Sequence, residues 1–147
     1  MNILQGASSW KDLRKDYDEA ANGAPVTVTA GGTEVVAISG LSVAVGDILF
    51  VNATMIMSKG LVTGRSEAVI GKKAGAATIK FISVLTNANL DEDPHDASTT
   101  WSFVGTFMFT VTAAGDLDVN LFAASAGSNG TVALGGAGLA TTVIRGS

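Results

Sequence analysis

From Val26 to the C-terminus, apolar residues recur at every second position, and no stretch carries the three-and-four spacing of a helix. An extended strand sends successive side chains to opposite faces, so a period of two means strands with one face turned to a core. The clearest example is Thr99 to Thr112. Trp101, Phe103, Phe107, Phe109 and Val111 share one parity, and Ser102, Val104, Thr106, Met108, Thr110 and Thr112 share the other. The aromatic set is expected in the core and the small hydroxyl-bearing set outside. Gly105 interrupts the aromatic parity, which predicts a bulge or a close approach there and a bend in so long a strand.

The rest of the chain follows the same rule. Val26 to Ala30 alternates, Gly31-Gly32 turns, and Thr33 to Ile38 is predicted to return as its hairpin partner. Asp47 to Met57 is apolar on both faces, as in a central strand covered on each side or facing a neighbouring subunit on one. Leu61 to Ile70 and Ala76 to Thr86 follow, parted by Gly71 to Gly75, and then Leu117 to Ala124, Val132 to Leu134 and Leu139 to Arg145 close the chain. About eight to nine strands with frequent glycine turns predict an all-β fold, a β-sandwich of jelly-roll type. A single domain of 147 residues is long enough to bury roughly two thirds of its unfolded surface without disulfides or metals.

Charge divides the chain unevenly. The last 51 residues, from Ala97, carry only Asp116, Asp118 and Arg145, and charged residues make up 15% of the whole against roughly 25% in an average soluble domain. A face so poor in charge would be sticky if left open, so it is expected to be covered by other copies or another protein. With the aromatics assigned to the core, the covered positions are Val104, Thr106, Met108 and Thr110.

Residues 1–25 are different in kind. Seven of the 22 formal charges fall between Lys11 and Glu19. Ser8 or Ser9 can cap a helix, Trp10, Leu13 and Tyr17 recur at i, i+3 and i+7, and Asn22-Gly23 offers a C-cap before Pro25. The spacing predicts a short N-terminal helical arm of about three turns ahead of a sandwich domain over 26–147. Three turns are marginal alone, so the stripe must dock on the body or on a partner, with Trp10, Leu13, Arg14 and Tyr17 as the contact residues.

Chemistry is scarce. Cysteine is absent, which excludes thiolate nucleophiles and cysteine-based zinc sites, and the lone His95 leaves no second imidazole for a dyad elsewhere. His95 lies in the acidic run Asp91 to Asp96, the only candidate cation site. As a calcium loop it fails: Asp96 replaces the glycine at position six and Ser102 stands where a bidentate Glu should close it. Gly64 to Lys73 resembles a phosphate loop only in outline, with six residues between its glycines and Lys73 in place of the Ser/Thr that binds magnesium; a hairpin turn is the better reading. No cofactor, metal or catalytic residue is expected. A net charge of −4, with Lys72-Lys73 the chief basic doublet of the body, argues against nucleic acid as partner. No apolar run reaches the ~18 residues of a membrane span, and the first six residues are too short for a signal sequence, so synthesis in the cytoplasm is expected.

Leu41 to Val51 (LSVAVGDILFV), the aromatic strand to Phe109, Gly115 to Ser125 (GDLDVNLFAAS) and the final Ala140 to Arg145 (ATTVIR) together resemble tumour-necrosis-factor-like jelly rolls. Such domains occur in trimeric structural proteins of tailed phages, and the chain is most similar to the capsid decoration, or cement, proteins among them. The resemblance covers about residues 26–146. It implies a homotrimer on the capsid surface of a virion, made in the host cytoplasm, binding the major capsid protein and stabilising the head, without enzymatic activity. The alternative it leaves is a receptor- or glycan-binding module of a tail or fibre.

Overall fold

A computed structural model describes residues 17–59, 66–90 and 100–146, and among them every regular element is a strand. There are ten: β1 (Tyr17–Ala21), β2 (Val26–Val28), β3 (Thr33–Val43), β4 (Ile48–Lys59), β5 (Ser66–Ala74), β6 (Thr78–Leu90), β7 (Thr100–Ala113), β8 (Gly115–Ser125), β9 (Gly130–Val132) and β10 (Ala137–Ile144). They form two antiparallel sheets. The larger runs β1-β10-β4-β7-β6, with β9 against the end of β4 and β2 against β9; the smaller runs β3-β8-β5.

The core is the space between the sheets, filled by one parity of each long strand. Leu49, Val51, Ala53, Met55 and Met57 of β4 are buried, as are Leu117, Val119, Leu121 and Ala123 of β8 and Leu139 and Val143 of β10. Each of the leucines, valines and methionines among them contributes roughly 1.5–3 kcal/mol by leaving water, which is how strict alternation fixes the register. On β7 the expected parity is the observed one: Trp101, Phe103, Phe109 and Val111 are buried and Phe107 packs against the core from its margin.

The pairing of β7 with β4 and β6 runs unbroken through Gly105, opposite Ala53 and Asn87, so there is no bulge at that glycine. The close approach is made by side chains instead. A Cβ at Gly105 would lie 2.5 Å from the Phe107 ring and 2.9 Å from Phe103, whose rings stack at 6.3 Å over the gap. Trp101 continues the stack at 6.1 Å from Phe103.

Four expectations need correction. The predicted helix ends in strand: Tyr17–Ala21 pairs antiparallel with β10, Tyr17 opposite Thr142, so the sandwich takes in residues that the spacing assigned to the arm. Open backbone groups along the β10 edge outweigh a helical stripe whose last member is Tyr17. Asn22 is a clamp and not a C-cap. Its buried side-chain amide donates to the carbonyls of Ala24 (2.9 Å) and Ala133 (2.7 Å), and its Oδ1 accepts from the Ala137 amide (2.9 Å). The remainder of the helical reading, including the Ser8/Ser9 cap, lies outside the described residues.

Next, β2 and β3 do not form a hairpin, because β2 pairs with β9 in the large sheet and β3 with β8 in the small one. The Gly31-Gly32 turn carries the chain between sheets. Finally, Gly64 to Lys73 is not a hairpin turn from Ser66 onward but most of β5, and the turn falls at Gly75, where φ is +103° and a Cβ would meet the Asp116 carbonyl.

Candidate functional site

The described surface divides into two outer faces and two sheet edges. On the large sheet, the register places outward rows across β10, β4 and β7: Ile144, Ile48 and Thr110; Thr142, Phe50 and Met108; Ala140, Asn52 and Thr106; Gly138, Thr54 and Val104. Ile56 and Ser102 extend the same face. None of these residues is charged. Ile56 is 55% exposed, Ile144 53% and Val104 46%, while Phe50, Thr106, Met108 and Thr110 are half-buried by their neighbours.

The four positions expected to be covered, Val104, Thr106, Met108 and Thr110, thus lie together on one strand in the middle of an open uncharged face. One pair of its polar members bonds within the face. Thr106 Oγ1 donates to Asn52 Oδ1 at 2.7 Å. β4 has its inner side in the core and its outer side, where Ile48, Phe50 and Ile56 stand beside Asn52 and Thr54, on this face, uncovered among the described residues.

A depression of about 500 Å³ crosses one side of the face, lined by Glu19, Ala20, Ala21, Asn52, Thr54, Gly138, Leu139 and Ala140. It exists because β10 presents only Gly138 and Ala140 outward between β1 and β4. With apolar and amide walls and a single carboxylate at the rim, it has no nucleophile and no acid–base pair.

The small sheet's outer face has a different character. Glu34 of β3 takes the Lys73 ammonium on one oxygen at 2.7 Å and the Asn120 amide on the other at 2.9 Å. The hydrogen bond from Lys73 first, then that from Asn120, holds the Glu34 carboxyl below its ordinary value despite some burial. Asp118 Oδ1 accepts from the Gly40 amide at 2.8 Å.

A third cluster locks one end of the sandwich. Asp47, almost fully buried, accepts from the amides of Ala44 and Gly146 (both 2.9 Å) and from Arg145 Nη1 (2.8 Å), which also donates to the Ser42 carbonyl at 3.1 Å. Burial pushes the Asp47 carboxyl up, but the two amides and the guanidinium outweigh it and hold the group below its ordinary value. Periodicity gave no hint of this lock, since Asp47 reads as the first residue of an apolar strand; an acid beside a glycine turn was its only signal.

Of the expected arm contacts, only Tyr17 is described. It sits on β1 with its hydroxyl donating to Glu19 Oε2 at 2.8 Å; the oxygen it bonds, with burial and the Glu19 charge adding, raises the phenol above its ordinary value. Trp10, Leu13 and Arg14 lie outside the described residues, as does the acidic run Asp91 to Asp96 with His95. Among the described residues no group of three His, Cys, Asp or Glu side chains is placed to hold a metal, and no helix is long and apolar enough to cross a membrane. No family model matches the chain, and no curated protein matches it.

Proposed function

We propose that this chain is a structural protein of a tailed-phage virion: a homotrimeric decoration, or cement, protein that sits on the outside of the capsid, binds the major capsid protein and stabilises the head, with no catalytic role. The observation that carries the reading is the uncharged outer face of β10, β4 and β7. Its apolar side chains gain roughly 25 cal/mol for each Å² withdrawn from water, before the costs of association, and three-fold repetition makes the attachment to a symmetric shell multivalent.

The jelly roll is part of the same proposal. After β3 in the small sheet the chain crosses to β4 in the large one, returns for β5, crosses again for β6 and β7, returns for β8 and ends in β10. Such repeated crossing between sheets is how a jelly roll is wound, and it supports the likeness to tumour-necrosis-factor-like domains. Because Tyr17–Ala21 is built into the sheet, the shell-binding role of the arm is assigned to the residues that precede β1.

The test uses virions of the phage that encodes the chain. Immunogold labelling with antibody to the protein is expected to decorate the heads; label confined to the tail would overturn the decoration role in favour of a fibre module. A chain lacking residues 1–16 is expected to remain trimeric yet no longer bind shells stripped of the protein, and undiminished binding would remove the arm from the account.

A further inference from the structure

We draw no further inference here: the strongest candidate, the apolar shelf at the β6 edge of the large sheet, where Phe81 (51% exposed) and Val84 (42%) face inward beyond the reach of the small sheet, carries nothing because nothing in the structure shows what covers it.

Discussion

The outer faces of the two sheets are built on the same strand alternation and solve the problem of exposure in opposite ways. The small sheet's face carries exposed Val69 and Phe122 but sets paired polar groups among them, with Glu34 held between Lys73 and Asn120 and Asp118 tied to the Gly40 amide. The large sheet's face carries Ile48, Phe50, Ile56, Val104, Met108 and Ile144 with no charge among its central strands. A face of the first kind is stable in water as it stands. The second gains free energy only when something covers it, so the asymmetry itself indicates which side is made for contact.

The sharpest way to break this comparison is to place the same charge on each face. Met108→Asp is expected to dissociate the trimer, because a carboxylate buried without a partner costs several kcal/mol in each of the three subunits. Val69→Asp, at an exposed position on the small sheet, is expected to leave the mass unchanged. Sedimentation shows both; equal effects would remove the distinction between the faces. Circular dichroism should show the strands intact in each, since neither residue belongs to the core.

A smaller effect is expected at the end of the sandwich, which belongs to neither face. Asp47→Asn keeps the side chain's shape but removes the charge that Arg145 and two amides stabilise, and is expected to cost about 1–3 kcal/mol at neutral pH. Because the folded carboxyl sits below its unfolded value, its contribution is present above pH ~4 and is lost as pH falls through the folded value. Wild type and Asp47→Asn should therefore converge in urea midpoint as the pH is lowered below 4, and a constant gap would mean the charge is not what stabilises the turn. Least of all should change with Glu34→Gln: the pair with Lys73 is solvent-exposed, and its loss is expected to shift stability by no more than about 1 kcal/mol. A larger loss would show that the small sheet's face depends on its charges more than its geometry implies.

Where side-chain parity decides structure, the residues made it legible. Trp101, Phe103, Phe109 and Val111 could be assigned to the core because four bulky groups at one parity have nowhere else to go, and the same step placed Met108 and Val104 outside. Pairing partners were much less legible. Val26 to Ala30 and Thr33 to Ile38 look like a hairpin across Gly31-Gly32, yet backbone hydrogen bonding carries no mark in a side-chain pattern of which sheet a strand will join. The β1 strand has no mark in the sequence, because Trp10, Leu13 and Tyr17 fit a helical stripe and five residues at a sheet edge take their conformation from β10. Nor does anything in Thr78 to Val84 announce that Phe81 and Val84 would lie beyond the reach of the small sheet; that follows from β6 pairing with β7, a tertiary choice. The Asp47 lock was hidden for a related reason, since its partners Arg145 and Gly146 are about a hundred residues away.

The uncharged face of β10, β4 and β7 is expected to be covered by two further copies of the chain. Light scattering on the purified full-length protein, at micromolar concentration and neutral pH, measures this directly. The trimer reading requires three times the chain mass of 14.8 kDa. A mass of 14.8 kDa, or of a dimer, would contradict it.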